Sequence, residues 1–392
     1  MLLKKNINET YIRAILISFI VNYNIIRITF DFIPAINNFI YLLFISYFFC
    51  SLNKRIKLKM NVISICALGI ILYVIVSSIV NGNFINHFDI LLKFLLGILI
   101  SLLIVNENKK EFIPIFLNTT VNINTLYSIL IILNSIKPYG LGTIASVNYL
   151  EWTLSIGFSV SILQNLLLFS NNNKIKNLIK LIIQYICLFL FRARGSILFP
   201  IILLILTIMY IMLYRKKLSK KNILIICFII VIFFVSLNNI ENTKVFTRLV
   251  NLFYDYNDES RVEIWMNCVN YVKETNGFFI GLGFKGFSNY LIYPHNLYLE
   301  LIGELGIIGF ICLFSLTFKY ISILFKLLVN LKEKRINDFY YFGCISGFLY
   351  FYLTFLKSFS IYEGYFLFIM MGIILLVKKE VFFNEKDDFS CK

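Results

Sequence analysis

Long apolar runs, separated by short polar connections, follow one another along almost the whole chain. A run of about 20 apolar residues is long enough to cross the roughly 30 Å hydrocarbon core of a bilayer as a helix. Helices suit this setting because all their backbone hydrogen bonds are made internally. The pattern predicts twelve membrane-spanning helices, at residues 11–30, 33–52, 61–80, 87–105, 112–134, 149–170, 177–191, 196–214, 223–238, 297–318, 339–356 and 360–377.

Lysine and arginine are concentrated in alternate connections of this bundle. The basic groups fall before the first helix and after the second, fourth, sixth, eighth, tenth and twelfth. Because an excess of positive charge marks the cytoplasmic side, both termini are expected to be cytoplasmic. The first run carries Arg13 and Arg27 and has no small-residue cleavage site after it, so we interpret it as a retained helix and not as a signal peptide.

The composition excludes a soluble globular protein. Hydrophobic residues make up 59% of the chain and charged residues 15%, with a mean hydropathy of +0.81, whereas about 25% of a soluble domain is charged. The net charge of +16 would favour nucleic acid in a soluble protein, but here it follows the topology, so no nucleic-acid partner is expected. The eight cysteines include no C-x-x-C pair, and the two histidines are not spaced as a metal-binding pair. No disulfide framework, metal or cofactor is therefore expected.

One connection is much longer than the others. Residues 239–296 leave the predicted bundle on the extracytoplasmic side, between the ninth and tenth helices of a single integral membrane domain spanning residues 1–392. Ser260 stands three residues before Glu263, the spacing of a capping box that begins a helix, and Gly277 is placed to end it. Helical spacing predicts an apolar stripe that packs on the bundle or on the membrane surface, formed by Val262, Trp265, Val269 and Val272.

Four arginines are expected on the extracytoplasmic side, against the charge bias. The stretch FRARGS places Arg192 and Arg194 at the outer end of the seventh helix, while Arg248 and Arg261 belong to the long connection. A guanidinium binds phosphate oxygens in bidentate fashion, and a helix N-terminus also favours an anion, so the group suits a diphosphate. Alternatively, the first two arginines reach lipid headgroups and Arg261 is a solvated helix residue paired with an acidic neighbour.

The stretch GLGFKG, from Gly281 to Gly286, matches the spacing of a dinucleotide-binding loop. We reject that interpretation because no strand and helix unit surrounds it. Gly281 and Gly283 are instead expected to form tight turns that lead the chain back toward the membrane. Backbone amides close to an anionic ligand are a further alternative.

A histidine and two glutamates mark the start of the tenth helix. His295 and Asn296 lie at its mouth, and an imidazole with a pKa near 6.5 suits proton transfer at neutral pH. Glu300 and Glu304 follow on one helical face and descend into the apolar run, where a functional or ion-paired role is expected. The other polar candidates, for which interface anchoring is the alternative, are His87 and Lys93.

In this order, the motifs resemble the O-antigen polymerase and ligase superfamily, the Wzy-type membrane glycosyltransferases. His295-Asn296, nine residues, Gly306, two residues and Gly309 match the histidine and glycine pattern of that family. Arg194-Gly195 resembles its arginine-glycine step, and Arg261 followed by Trp265 resembles its R-x-x-x-W element. One departure is Ala193, where the family often has serine, which puts a hydroxyl contact in doubt but not the charge.

The resemblance implies a GT-C-like, all-α polytopic protein of a bacterial cytoplasmic (inner) membrane with an extracytoplasmic active site. It implies inverting, metal-independent transfer from an undecaprenyl-diphosphate-linked oligosaccharide. Arg194 and Arg261 would bind the diphosphate with help from Arg192 and Arg248, and His295 would be the general base. Glu300 would orient His295 or be the base itself. Supporting roles are expected for Asn296, Trp265, Gly281 and Gly283. Membrane lipids are expected partners, and a chain-length regulator and a flippase are further candidates.

Three activities remain open from the sequence. We favour a polymerase of O-antigen or capsular polysaccharide because no feature demands a lipid A core acceptor. A ligase that transfers the glycan to lipid A core, or to another acceptor, is the alternative within the same superfamily. A lipid-linked sugar flippase or a solute transporter is the alternative from another class, but that class favours repeat symmetry or paired broken helices, which the sequence does not clearly show.

Overall fold

The structure is a computed structural model that describes residues 2–30, 33–52, 62–82, 84–136, 149–169, 174–190, 194–215, 260–275, 277–287, 293–333, 339–357, 360 and 364–389. These residues form fourteen helices and no strand. The helices are α1 Leu2–Val21, α2 Tyr23–Thr29, α3 Ile36–Leu52, α4 Val62–Val80, α5 Phe88–Ile104, α6 Lys109–Ile136, α7 Tyr149–Phe169, α8 Lys174–Leu190, α9 Arg194–Arg215, α10 Ser260–Glu274, α11 Gly277–Ile280, α12 Leu297–Glu333, α13 Phe339–Lys357 and α14 Tyr365–Phe389.

Most predicted spans coincide with a helix to within a few residues. The first does not, because the run 11–30 is divided into α1 and α2 at Asn22. The predicted helices 297–318 and 360–377 are too short, since α12 and α14 continue well beyond them. The predicted ninth helix, 223–238, lies outside the described residues.

Within the described part of the chain, three helices are long and apolar enough by themselves to cross a membrane. They cover Lys110–Leu133 of α6, Gly195–Leu213 of α9 and Leu297–Val329 of α12. Shorter apolar helices cover Ile36–Ser51, Leu68–Val80 and Thr153–Phe169. The fold is therefore all-helical and apolar as predicted, while the count of twelve spans stays a prediction.

The bundle is built around α7. Its side chains from Thr153 to Leu168 are all buried, and the helix contacts α6, α8, α9 and α13. At the contact with α13, a Cβ on Gly157 would lie 2.2 Å from the hydroxyl oxygen of Tyr350. Tyr350 donates its hydroxyl hydrogen bond to the carbonyl of Thr153 at 3.2 Å. Small residues thus let the two helices approach closely, as is usual for helix contacts in membranes.

The division between α1 and α2 is stabilised by buried amide groups. Asn22 donates from its side chain to the carbonyl of Ser18 at 2.6 Å, and its side-chain oxygen accepts from Asn124 of α6 at 2.6 Å. Asparagine side chains compete with the helix for backbone hydrogen bonds. The break is therefore fixed by tertiary contact with α6 as well as by local chemistry.

A buried ion pair joins α1 to the connection between α5 and α6. The side chain of Arg13 is 0% exposed, and its Nε lies 2.7 Å from Oε1 of Glu107. The guanidinium also donates to the carbonyl of Cys50 at 3.0 Å, and Tyr47 donates to the same Glu107 oxygen at 3.3 Å. An isolated buried charge is strongly unfavourable, so this arrangement couples three distant parts of the chain.

Candidate functional site

The GLGFKG stretch forms a tight turn on the side of α12. Gly281 and Gly283 have φ angles of +86° and +82°, in the region that glycine adopts most readily. The amide of Leu282 donates to the carbonyl of Gly303 at 2.9 Å, and that of Gly283 donates to the carbonyl of Glu304 at 2.9 Å. The predicted glycine turn is thus confirmed, and its contact is with α12.

The turn contacts α12 at a break in that helix. Gly306 has φ +64° and ψ −173°, a conformation essentially restricted to glycine. A Cβ on Gly281 would lie 2.2 Å from the carbonyl oxygen of Glu304, and a Cβ on Gly306 would lie 2.4 Å from that of Phe279. Tyr73 of α4 donates its hydroxyl to the carbonyls of Leu305 at 2.7 Å and of Ile280 at 3.2 Å. Two backbones therefore meet without intervening side chains.

The side chain of Glu304 accepts hydrogen bonds from the backbone of this turn. Its Oε2 accepts the backbone N–H of Lys285 at 3.0 Å, and its Oε1 accepts that of Phe287 at 3.1 Å. The side chain is buried, and these two hydrogen bonds compensate part of the loss of solvent. The intramembrane glutamate predicted to be functional or ion-paired thus satisfies two backbone donors of the turn.

A small apolar cluster attaches α10 to the same structure. Cys268, Val272 and Phe287 are its buried members, and the absence of a side chain at Gly303 leaves room for the Phe287 ring. Burial and, to a lesser extent, the nearby Glu304 side chain raise the pKa of the Cys268 thiol to about 11. The thiol is therefore neutral and acts as an apolar group near neutral pH.

The predicted stripe of α10 is only partly right. Val272 is buried as expected, but the centre of the packed face is Cys268, while Trp265 and Val269 are half-buried. The predicted helix start at Ser260 is confirmed. The predicted end at Gly277 is wrong, since α10 ends at Glu274 and Gly277 begins α11.

Trp265 joins α10 to the segment that carries His295. Its indole Nε1 donates to the carbonyl of Pro294 at 2.7 Å. His295 adopts φ +50°, uncommon for a residue with a side chain, and its ring meets that of Tyr293 edge to face at 4.4 Å between centroids. The imidazole is half-buried at the mouth of α12.

Asn296 is the N-cap of α12. Its side-chain oxygen accepts the amides of Tyr298 at 3.0 Å and Leu299 at 3.1 Å. This is the usual geometry of an asparagine cap and satisfies two otherwise unpaired donors. Asn296 therefore supports His295 by fixing the start of the helix that follows it.

Glu300 lies one turn below His295 and is 0% exposed. The hydroxyl of Ser360, in the connection between α13 and α14, donates to its Oε1. Ser360 had no sequence signal, because a single serine sixty residues away is not distinguishable from any other. The carboxylate is thus held in place from the opposite side of the site.

The first turns of α9 approach the same region through α13. Lys357, at the end of α13, places its Nζ 5.9 Å from the ring centroid of Phe199. Phe199 is five residues after Arg194, the first residue of α9, and Lys357 is three residues before Ser360. The first turns of α9 thus pack beside the C-terminal end of α13. The sequence analysis selected FRARGS because its arginines are basic residues expected on the extracytoplasmic side. The same argument would also have selected Lys357.

The predicted arginines are placed only in part. Arg194 begins α9, and Arg261 is the second residue of α10. Arg192 and Arg248 lie outside the described residues. The structure brings together Trp265, Gly281, Gly283, His295, Asn296 and Glu300 around the first half of α12, and the diphosphate-binding role of the arginines stays a prediction.

His87 and Lys93, at the start of α5, have different surroundings. Burial lowers the pKa of His87 below the usual value of a histidine, and the positive charge of Lys285 lowers it further. Lys93 is paired with Asp89 on its own helix, with its Nζ 2.7 Å from Oδ2. Lys285 of the glycine turn is therefore near enough for its charge to act on His87, whereas Lys93 is paired on its own helix. Within the described residues, no group of His, Cys, Asp or Glu side chains is arranged as a metal site.

These features define an all-helical integral membrane protein in which residues 277–287 pack onto the first half of α12. Residues 179–314, about a third of the chain, match the family model described as O-antigen ligase. The resemblance to the O-antigen polymerase and ligase superfamily is thereby confirmed for this segment, which contains all the predicted site residues from Arg192 to Glu300. Among curated proteins, no significant match to the chain was found.

Proposed function

We propose that the protein is a membrane glycosyltransferase that polymerises polysaccharide repeat units carried on undecaprenyl diphosphate. The observation that carries the proposal is the O-antigen ligase family match over residues 179–314, since Arg194, Arg261 and His295 are all within this segment. The lipid-linked oligosaccharide would bind on the extracytoplasmic side, with its lipid chain between helices.

The proposed reaction needs two kinds of help from the protein. The acceptor hydroxyl oxygen bonds to the anomeric carbon from the face opposite the diphosphate, and the carbon–oxygen bond to the diphosphate breaks with its electron pair. Guanidinium groups of Arg194 and Arg261, assisted by Arg192 and Arg248, stabilise the departing anion. His295 takes the proton of the acceptor hydroxyl.

The path from α10 to His295 supports this assignment. Arg261 precedes Trp265 by four residues, a spacing that places both on one face of a helix. Trp265 is bonded to Pro294, directly before His295, so Arg261 is one helical turn away from a residue that contacts the neighbour of the histidine. For Arg194 the support is its position in the sequence, as the first residue of α9 within the matched segment.

The surroundings of His295 and Glu300 favour different roles for them. The imidazole is half-buried at the mouth of α12, where an acceptor sugar can reach it. The carboxylate is fully buried and accepts a hydrogen bond from Ser360. We therefore assign His295 as the general base and Glu300 as a positioning residue, a narrower choice than the sequence allowed.

A ligase is the second candidate, because the matching family model is described as O-antigen ligase. The two activities share the donor and differ in the acceptor, a repeat unit for the polymerase and lipid A core or another surface molecule for the ligase.

Purified protein in vesicles, supplied with a lipid-linked repeat unit, tests the proposal. Longer chains on the lipid carrier support a polymerase, transfer only when an outer-core acceptor is added supports a ligase, and movement of the unchanged lipid across the bilayer supports a carrier. Arg194→Ala should lower transfer by about 100-fold or more, the usual effect of removing a group that stabilises developing negative charge.

The matched control is Arg215→Ala, which removes an arginine from the opposite end of α9 and should leave transfer unchanged. His295→Ala should abolish proton transfer without reducing the binding of the lipid-linked donor. Full transfer by the His295→Ala protein would contradict the assignment of the base and move that role to Glu300.

A further inference from the structure

The glycine turn and α11 lie well below the ends of the helices that they contact. Gly306 is nine residues into α12, about 13 Å along the axis at 1.5 Å per residue. Tyr73, which donates to Ile280 and Leu305, is seven residues from the end of α4, about 10 Å. The side chain of a helical residue points toward the helix N-terminus. The Tyr73 hydroxyl is therefore no nearer to the C-terminal end of α4 than the Tyr73 backbone is.

A third helix indicates the same depth. Phe284, at the centre of the turn, packs against Phe94 of α5 with ring centroids 6.0 Å apart. Phe94 is six residues into α5, about 9 Å from its start. The connection between α4 and α5 is polar, with the sequence NGNFINH from Asn81 to His87, as expected at the membrane surface. The turn is therefore about 10 Å inside the surface that this connection marks.

The backbone of the turn is suited to that depth. Irregular backbone is tolerated in a bilayer only where its polar groups are satisfied within the protein. The amides of Leu282, Gly283, Lys285 and Phe287 donate to Gly303, Glu304 or the Glu304 carboxylate, and the amide of Gly281 donates to Gly277. These bonds explain the presence of an acidic side chain in an apolar helix.

The side chains of α11 point away from the protein. Phe278, Phe279 and Ile280 are 45%, 68% and 62% exposed. The carbonyl of Phe279 is directly beside Gly306, and Ile308 and Ile311 follow on the outward face of α12. On α4, which contacts α12, Leu72 and Val76 are exposed as well.

We propose that Gly277–Phe287 is a re-entrant segment that places Phe278, Phe279 and Ile280 among lipid acyl chains, on the side of the bilayer from which the 239–296 connection emerges. The occupant is lipid because the three side chains are continuous with the exposed apolar surface of α12, a helix long and apolar enough to cross a membrane. Lys285, whose charge acts on His87, extends from the turn toward the polar connection, as a lysine near a membrane surface does.

The consequence is that the long connection is attached to the membrane at two places, by α11 and by α12. Through Trp265 and Pro294, α10 is fixed between the two attachments. Because this placement involves no catalytic step, it does not depend on the proposed function.

Tryptophan fluorescence in vesicles tests the proposal. The parent protein has two tryptophans, and Phe279→Trp adds a third. The additional fluorescence of this variant should be quenched by phosphatidylcholine brominated in its acyl chains. The quenching should equal that of Ile308→Trp to within about twofold, and iodide in the water should not quench it. Glu274→Trp, at the exposed end of α10, should show the opposite pattern.

Ile280→Trp is the second variant, so that a folding defect at one position leaves the test intact. Quenching by iodide at both positions would overturn the proposal, because the segment would then be in water. Quenching by neither agent would also overturn it, since the side chains would then be covered by protein, such as a second copy of the chain.

Discussion

Replacing Glu304 with Gln changes one acceptor and little else. The carboxylate accepts two backbone amides, those of Lys285 at 3.0 Å and Phe287 at 3.1 Å. A glutamine has one carbonyl oxygen, so one amide loses its acceptor and faces an NH₂ group. A buried donor left without a partner costs about 1–3 kcal/mol, which corresponds to about a 5- to 150-fold change in a local opening equilibrium.

Amide hydrogen exchange measures that equilibrium directly. In Glu304→Gln, exchange in the peptide covering 281–287 should accelerate by the same factor, because local opening controls exchange of protected amides. The core helix α7 packs against α6, α8, α9 and α13, so its exchange should stay unchanged.

Glu300→Gln is the matched control for this experiment. It replaces an equally buried glutamate four residues earlier on α12 by the same amide, but it keeps an acceptor for Ser360. Exchange in 281–287 should therefore stay within about twofold of the parent protein. Equal acceleration in both variants, or none in Glu304→Gln, would refute the role assigned to Glu304.

Three further predictions use other parts of the structure. Gly306→Ala should lower the free energy of unfolding by about 1–3 kcal/mol because of its backbone angles alone. Thermal unfolding in detergent checks this. The control is Gly69→Ala, where a Cβ would have no atom within 4 Å, and this variant should not be destabilised. Arg13→Ala should cost about 3–5 kcal/mol, because it removes the positive charge that faces the buried Glu107 carboxylate. The double replacement Arg13→Met with Glu107→Leu should restore most of the loss; equal unfolding of the single and double variants would contradict this. Lys285→Gln should raise the pKa of His87, since a nearby positive charge disfavours the imidazolium. NMR titration of the two histidines checks this, with His295→Asn used to assign the signals. An unchanged pKa of His87 would contradict the prediction.

The positions of most helices could be predicted because run length and hydropathy are local properties of the sequence. The break at Asn22 was missed since it depends on Asn124, a partner 102 residues away. The face of α10 was misplaced for a related reason. The prediction weighted large apolar side chains, but the packed centre is Cys268, whose small side chain fits beside Phe287.

The candidate site was predictable where its chemistry is carried by residue type. His295, Glu300 and the glycines of the turn stand out in an apolar sequence, and the resemblance placed them in order. The roles of Glu304, Ser360 and Tyr73 were not predictable, because each acts on backbone or side-chain groups from a distant part of the chain. Gly306 belongs to the recognised motif, yet its physical reason, two backbones in direct contact, is visible only in three dimensions.

The ion pair of Arg13 sets an order of events during synthesis. Glu107 is 94 residues later in the chain, so at about 5–20 residues per second it is made about 5–20 s after the arginine. Throughout that interval, the first helix carries a charge that its final partner cannot yet neutralise. Until then Glu9, one turn earlier on the same helix, is the acidic partner at hand, so the buried arrangement around Arg13 is completed only after four further helices have been made.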